Sequence, residues 1–361
     1  MKDQLAALRP VVRLLPPTWR VHLRRWWNAG RAARATGAGD YESRLSQEVM
    51  RFAGEEIVND LPRIFDYWSN THLRPVMEVF GFSYPEDFFA LQIQRQAAEL
   101  GRNVHAISIG AGNCDSEVHM AKLLLERGVA AFTIVCLDVT DTMLQRGRRL
   151  AEREGVLEHF RFVSADFNRW NPTESYDVVM ANQSLHHVTN LEGLFDAICL
   201  AIGSSGIFVA SDMIGRNGHM RWPEALAIVR EFWRELPASY RYNVQLRRHE
   251  KVYKDWDCSL EGFEGIRAQD ILPLAIQRFG FDFFLGYGNV IDPFIDRGFG
   301  PHFDPEIDWD RSFIDRVHAR DEKELFSGTV KPTHMLAVMR RDRSATPVVR
   351  HHLTPQFCLR S

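Results

Sequence analysis

The feature that most constrains this chain is a short apolar run that ends in a glycine turn. Residues 106–115 read Ala-Ile-Ser-Ile-Gly-Ala-Gly-Asn-Cys-Asp, and a helical pattern follows from Glu117 to Arg127. A buried strand, a tight turn and a helix N-terminus leave bare backbone where a ligand can lie. Gly110 and Gly112 allow an approach that a Cβ atom would block. We therefore expect a ligand site at this turn.

The residues that follow the turn disfavour two phosphate-binding motifs. The dinucleotide fingerprint requires a third glycine at the position that Asp115 occupies. A P-loop requires Gly-Lys followed by Ser or Thr, and the turn lacks that ending. A nicotinamide-dependent oxidoreductase is accordingly a weak hypothesis.

Apolar strand patterns recur between residues 104 and 212, each followed by a helical pattern or a polar tip. They lie at residues 106–109, 131–137, 160–164, 176–182 and 206–211. This alternation predicts an α/β fold with a parallel, doubly wound sheet. Ligands bind such sheets at the carboxyl ends of the strands.

The pattern of polar and glycine residues at those strand ends resembles the pattern of one family. Its members are the class I S-adenosylmethionine-dependent methyltransferases, and the resemblance covers about residues 104–212. It is carried by Gly110, Gly112, Asp138, Asp166 and Asn182. The family usually has an acidic residue two before the first glycine and often a third glycine two after the second. This chain has a serine and a cysteine there, at residues 108 and 114.

The resemblance implies S-adenosylmethionine as the cofactor. The glycine loop would accommodate the methionine part, Asp138 would accept hydrogen bonds from the ribose hydroxyls, and Asp166 would bind the adenine amino group. A helix cap remains the alternative for Asp138. The predicted cofactor residues are Ser108, Gly110, Ala111, Gly112, Asn113, Asp138, Val139, Asp166, Phe167, Asn182, Gln183 and Tyr67.

The resemblance also completes the predicted fold. Residues 281–287 and 334–339 would supply the antiparallel pair that ends the family's sheet, giving a doubly wound, seven-stranded Rossmann-like sheet. An N-terminal helical lid and helical insertions after strand five would complete the fold. The expected units are a basic, tryptophan-rich segment (1–39), the lid (40–103), the cofactor-binding core (104–212), a substrate-specificity insertion with a covering helix (213–280), the last two strands with a helical insert (281–345) and a tail (346–361).

Two adjacent histidines are the candidate catalytic residues. His186 and His187 follow the fourth strand, close to where a transferred methyl group would point. Histidine is suited to removing a hydroxyl proton near neutral pH, although an architectural role is the alternative for at least one of them. We expect no metal, because adjacent side chains on a loop seldom converge and no acidic third ligand accompanies them.

The insertion after strand five carries the candidate substrate residues. Basic and aromatic side chains there favour an anionic acceptor, with an asparagine from the lid added. They are Asn70, Arg216, His219, Arg221, Trp222, Tyr240 and Arg241. Acidic residues in the same block, among them Asp255 and Glu264, could instead pair with these arginines.

Composition narrows the class of protein further. A net charge of −3 does not favour nucleic-acid binding, and five scattered cysteines suggest neither a disulfide framework nor a zinc site. Arginines and tryptophans at helical spacing in residues 9–35 fit a peripheral membrane contact, a subunit contact or a helix docked on the same chain. We expect a cytoplasmic protein, with attachment at the inner membrane face and the oligomeric state left open.

The sequence therefore predicts a methyltransferase that acts on a small molecule or glycan, with oxygen as the favoured acceptor atom. Phrases in the insertion resemble an uncharacterised bacterial branch of the family, some of which would serve surface polysaccharide or secondary metabolism. Two alternatives stay open. One is an N- or C-methyltransferase of secondary metabolism, and the other is a catalytically silent, cofactor-binding subunit that recruits a partner or a membrane.

Overall fold

The computed structural model describes residues 41–42, 44–46, 61–260 and 262–360. The expected basic segment 1–39, including the proposed contact surface at 9–35, lies outside the described residues. In the part described, no helix has both the length and the apolar character needed to cross a membrane.

An eight-stranded sheet forms the centre of the molecule. Its first five strands are β1 (Val104–Ile109), β2 (Phe132–Asp138), β3 (Phe160–Ser164), β4 (Val178–Asn182) and β5 (Ile207–Met213). They run parallel in the order β5-β4-β1-β2-β3. The strand order reverses at β1, so the glycine turn that follows it lies at the topological switch point, where doubly wound sheets bind ligands.

A short antiparallel pair, β6 (Tyr242–Asn243) and β7 (Arg248–His249), lies outside this sheet. The sheet itself continues with β8 (Gly280–Tyr287) and β9 (His334–Arg340), and β9 runs antiparallel to both β5 and β8. The predicted doubly wound α/β fold is thus confirmed. An eighth strand, β10 (Val348–Val349), extends the predicted seven by pairing with β8 at the edge. Two residues are too few to produce a recognisable strand pattern.

Helices cover both faces of the sheet and form the insertions. In chain order they are α1 (Arg63–Trp68), α2 (Arg74–Glu78), α3 (Pro85–Leu100), α4 (Asp115–Glu126), α5 (Asp141–Arg153), α6 (Leu191–Ile202), α7 (Pro223–Glu235), α8 (Ala268–Arg278), α9 (Asp292–Ile295) and α10 (Asp308–Ser327). A π-helical turn, Ser69–Leu73, joins α1 to α2. Helix α7 lies in the insertion after β5, and α9 and α10 lie in the insertion between β8 and β9.

Alternate residues of the central strands pack into two different cores. Ala106 belongs to one core, and Ile107 and Ile109 belong to the other. Successive strand side chains point to opposite faces, so strands buried on both faces read as continuous apolar runs. The insertions join the first core through aromatic contacts such as Phe294 with Phe313, whose ring centroids are 5.4 Å apart. The inserted helices therefore pack on the same face of the sheet as Ala106 of β1.

Candidate active site

The glycine turn after β1 is held by backbone hydrogen bonds and by one carboxylate. Gly110 and Gly112 have φ angles of 73° and 54°, in the left-handed region that favours glycine. A Cβ atom on Gly110 would lie 2.6 Å from the Cβ of Ser184, so a larger residue would displace the loop that follows β4. The Gly112 amide donates to Oδ2 of Asp138 at 2.9 Å.

Asp138 stabilises the local backbone, a role separate from its predicted binding of the ribose hydroxyls. Its Oδ1 accepts from the amide of Thr140, the residue preceding α5, at 2.8 Å. Burial raises the pKa of Asp138, and the hydrogen bonds from Thr140 and Gly112 oppose that rise. The Thr140 side chain is a third partner, which leaves one of about four lone-pair sites with which the carboxylate could also accept a ribose hydroxyl.

A cavity of about 2370 Å³ opens beside the turn. Typical ligand pockets have about 300–1,000 Å³, so this one has room for a cofactor and an acceptor together. Six of the predicted cofactor residues line it: Gly110, Ala111, Gly112, Asn113, Asn182 and Gln183. The buried Oδ1 of Asn113 has no hydrogen-bond partner among the described residues. An unpaired acceptor in the loop and a wall of bare backbone fit the methionine part of the cofactor.

The other predicted cofactor residues do not line this cavity: Ser108, Asp138, Val139, Asp166, Phe167 and Tyr67. Asp166 is covered by Tyr41, whose hydroxyl lies 2.8 and 2.9 Å from its two carboxylate oxygens. Tyr67 was predicted to bind the cofactor, and its position contradicts that prediction. Its hydroxyl donates to Asp315 of α10 instead of facing the cavity. Its neighbours Trp68 and Asn70 do line the cavity.

The structure divides the predicted substrate residues into two groups. Asn70, His219 and Arg221 line the cavity. The other four do not, and each is satisfied elsewhere. Arg216 donates to the Arg221 carbonyl, and Arg241 donates to the Leu236 carbonyl. Tyr240 donates to Asp310. The ring of Trp222 lies under the guanidinium groups of Arg216 and Arg360. These contacts within the protein turn the four side chains away from the cavity.

A buried group of histidines and carboxylates closes one side of the cavity. We call His186, His219 and Glu264 the histidine–glutamate cluster. Glu264 lies 2.7 Å from Nε2 of His219 and 3.4 Å from Nε2 of His186 through the same oxygen, Oε1. Nδ1 of His186 lies 2.7 Å from Asp212, which also accepts the backbone amides of Ser184 and Leu185.

The cluster fixes different protonation states on its two histidines. Burial lowers the pKa of His186, but Asp212 and Glu264 outweigh that effect and raise the pKa to about 10. Burial also lowers the pKa of His219, and the charge of His186 lowers it further. The hydrogen bond that His219 donates to Glu264 opposes this decrease but does not outweigh it. The pKa of Glu264 lies far below its usual range, because the hydrogen bonds from His186 and His219 outweigh its burial. Near neutral pH, His186 is therefore protonated and His219 is neutral.

His187 lies at the margin of this cluster. Its Nε2 is 3.7 Å from Oε2 of Glu264, and its side chain is partly exposed to the cavity. His219 has a left-handed backbone with φ of 53°, directly after Gly218 with φ of 68°. Non-glycine residues in that region are strained, and such strain concentrates at functional sites. The local backbone thus holds His219 toward Glu264 at an energetic cost.

The sequence interpretation missed the two carboxylates that organise the histidines. Asp212 had a recognisable signal, since it ends the fifth strand at the same sheet edge as His186. Glu264 had none, because the insertion brings it to the site from a distant part of the chain. The expectation that no acidic third ligand accompanies the histidines was consequently wrong. Ligand atoms of His186, His219 and Glu264 lie within 4.8 Å of one another, an arrangement that could also hold a divalent ion.

Comparison with known proteins identifies the central segment. The family described as "Methyltransferase domain" matches residues 106–206. The trans-aconitate 2-methyltransferase of Acidovorax sp. strain JS42 is 27% identical over 176 residues, which are 48% of this chain and 57% of that protein. The sterol 24-C-methyltransferase of Aspergillus fumigatus is 34% identical over 86 residues, 23% of each chain. The chain thus spans between about a quarter and just over half the length of these relatives.

Solved structures are similar at lower identity. The O-methyltransferase of a trans-AT polyketide synthase multienzyme from Brevibacillus brevis, in complex with S-adenosyl-L-homocysteine, has 13% identity and a TM-score of 0.41. That similarity covers 81% of this chain and 86% of the other. A putative sarcosine dimethylglycine methyltransferase from Galdieria sulphuraria has 13% identity and a TM-score of 0.38, covering 71% and 86%.

Proposed function

We propose that this chain, a class I S-adenosylmethionine-dependent methyltransferase, methylates a hydroxyl oxygen of a small molecule or glycan and uses His219 as the proton acceptor. S-adenosylmethionine is the cofactor, and it supplies a methyl group already activated by a sulfonium. The protein must then align the acceptor oxygen, exclude water and remove one proton. The acceptor atom and the role of His219 are the parts that we propose.

The observation that carries the proposal is the contact between a neutral histidine and a buried carboxylate at the cavity wall. With Nε2 of His219 donating to Glu264 at 2.7 Å, its Nδ1 retains the lone pair that a base requires. Once His219 takes a proton, the negative charge of Glu264 stabilises the imidazolium. A carboxylate that orients and stabilises a basic histidine is a recurring device in proton-transfer catalysis.

His186 serves in this account as a positioning residue. Asp212 and Glu264 flank its two ring nitrogens, and a pKa of about 10 leaves it protonated near neutral pH. A protonated imidazole cannot accept the acceptor's proton. Its charge instead holds Glu264 ionised and in place, so the catalytic role that the sequence suggested for His186 passes to His219.

The proposed reaction balances with the groups at hand. The acceptor oxygen forms a bond to the methyl carbon while the carbon–sulfur bond breaks, and sulfur keeps the electron pair. The hydroxyl proton moves to Nδ1 of His219. The glycine turn, Asn182, Gln183 and the cluster all line one cavity, which supports an acceptor bound in the same space as the cofactor.

Arg221 supports an oxygen-rich acceptor. It is 5% exposed, lines the cavity and pairs with Asp292 through Nη1 at 2.9 Å. Its buried Nε has no hydrogen-bond partner in the described part of the chain. A buried guanidinium with an unused donor favours a carboxylate, carbonyl or hydroxyl oxygen nearby. The name of the trans-aconitate relative indicates an acceptor that carries carboxylates.

The test measures transfer of a labelled methyl group to a panel of alcohols, phenols, carboxylates, amines and activated carbon acids. We expect turnover on a hydroxyl acceptor, and a loss of about 10²- to 10⁴-fold in kcat for His219→Asn with unchanged affinity for S-adenosylhomocysteine. His187→Asn should lose less than about tenfold, and the exposed His119→Asn should behave as wild type. Transfer only to nitrogen, carbon or a carboxylate oxygen, or full activity in His219→Asn, would refute the proposal.

Two further outcomes separate the alternatives. Activity lost on chelation and restored by a divalent ion would assign the cluster to metal binding and contradict the role of His219 as a base. Tight binding of S-adenosylhomocysteine without turnover on any acceptor class would favour the catalytically silent subunit.

A further inference from the structure

A buried carboxylate beside the glycine turn has no cationic side chain paired with it in the described part of the chain. Glu117 lies in the first turn of α4, is 2% exposed and lines the cavity. Its Oε1 accepts the hydroxyl of Ser108 at 2.6 Å. Among the described residues, no lysine, arginine or histidine forms an ion pair with it. Burying an ionised carboxylate without such a partner is costly.

The surroundings of Glu117 make that cost larger. The charged side chains that act on it are Glu86 and Asp115, both negative, and the burial itself is the main reason that its pKa rises to about 7. The adjacent thiol of Cys136 has a pKa raised by burial, so it stays neutral and contributes no compensating charge. A ligand that brings a positive charge to this wall would relieve the strain.

The cofactor carries such a charge on its methionine part. Glu117 lines the same cavity as Gly110 and Asn113 of the glycine loop, which is proposed to accommodate that part. We propose that Glu117 binds the α-ammonium group of the cofactor and that Ser108 positions the carboxylate. The inference rests on the cofactor and its placement in the proposed function, and it is independent of the acceptor.

This assignment gives a physical reason for the serine at residue 108. Residue 108 lies in β1, and Glu117 comes from α4, nine positions later along the chain. The hydroxyl of Ser108 is small enough to leave room for the glutamate and supplies the hydrogen bond that fixes it. An acidic residue at 108 would place two carboxylates in contact, and two buried like charges at that distance cannot both ionise.

The experiment compares two ligands by calorimetry without any acceptor present. S-adenosylhomocysteine has the α-ammonium group, and 5′-methylthioadenosine lacks the amino-acid part. Glu117→Gln should weaken S-adenosylhomocysteine about 10- to 150-fold, the range expected for a lost charge-assisted hydrogen bond, and change methylthioadenosine less than twofold. Ser108→Ala should show a smaller loss with the same selectivity. Glu126→Gln, at an exposed acid that ends the same helix and lies outside the cavity lining, is the matched control and should leave both affinities within twofold. Asp115→Asn, at the neighbouring acid on the cavity wall, tests the alternative position of the ammonium site.

Three results would overturn the inference. The first is an unchanged S-adenosylhomocysteine affinity in Glu117→Gln. The second is an equal loss for both ligands, which would indicate a damaged loop. The third is the full selective loss in Asp115→Asn, which would move the ammonium site to that residue. Because no methyl transfer is measured, failure here is distinct from failure of the proposed hydroxyl acceptor.

A pH series adds an independent readout. Without a cofactor Glu117 is largely protonated below pH 7, so binding an ammonium group must release that proton. The affinity of the wild type for S-adenosylhomocysteine should therefore rise between pH 5.5 and 7 by up to about tenfold per unit. Glu86 and Asp115 face the same wall, so the slope must disappear in Glu117→Gln to support the inference, and an identical slope in that variant would contradict it.

Discussion

At the scale of single residues, Asp138 is the carboxylate that holds the glycine turn. It accepts the amides of Gly112 and Thr140 and so connects the turn to the start of α5. The helix-cap alternative and the ribose-binding prediction are compatible, because the two amides and the Thr140 side chain leave one of about four lone-pair sites on the carboxylate.

Replacing Asp138 with alanine should weaken S-adenosylhomocysteine by about 1.5–3 kcal/mol, since charge-assisted hydrogen bonds to the ribose would be lost. Calorimetry on the variant measures this. Asp141→Asn, which removes an exposed acid in the first turn of α5, controls for the change in charge. An affinity equal to the wild type in Asp138→Ala would show that the carboxylate only caps the turn.

The sequence predicted the residues whose role follows from strand order and missed those whose role depends on a distant partner. Gly110 and Asp138 lie at the ends of consecutive strands, so their proximity follows from the parallel sheet. The proposed roles of Glu264 and Glu117 depend on their contacts with His219 and Ser108, respectively. No local pattern in the chain specifies either pairing.

At the scale of elements, the described part of the N-terminal region contacts the predicted adenine site. Tyr41 donates to Asp166, its ring lies 5.6 Å from that of Phe263, and Arg169 lies over the ring at 5.2 Å. Burial is the main cause that raises the pKa of the Tyr41 phenol, so it remains a hydrogen-bond donor. The adenine amino group would have to share Asp166 with this hydroxyl or displace it.

Tyr41→Phe removes the competing donor while keeping the ring. We expect the affinity for S-adenosylhomocysteine to increase by about two- to tenfold, the value of one net hydrogen bond. Fluorescence or calorimetric titration at fixed pH measures it. Weaker binding in Tyr41→Phe would mean that the hydroxyl assists the cofactor instead of competing with it.

Elements with strong periodicity were predictable, and the orientation of side chains in the insertion was not. Apolar runs of five to seven residues located the sheet, because strands buried on both faces have that composition. Arg216 and Tyr240 were expected to face a ligand, but the backbone carbonyl of Arg221 and the carboxylate of Asp310 satisfy them. Such pairings depend on tertiary contacts that no local sequence pattern specifies.

At the scale of the whole molecule, one cavity is lined both by residues at the ends of the sheet strands and by residues of the insertions. The glycine turn and Glu117 form the proposed cofactor side, and the histidine–glutamate cluster contains residues from a strand end and from the insertion. The alternation of strands and helices in the sequence predicted the first part. The second part depends on Glu264, which the insertion carries to the sheet edge.

The most direct test of the account is the pH dependence of single-turnover methyl transfer with a hydroxyl acceptor, at saturating cofactor so that Glu117 does not contribute. A base must be unprotonated, so the rate should rise with pH through the pKa of His219, below its ordinary value of 6.5, and stay level through neutral pH. The acid limb should be absent from the residual rate of His219→Asn. A rate that rises only near pH 10, the pKa of His186, or an acid limb that persists in His219→Asn would contradict the account.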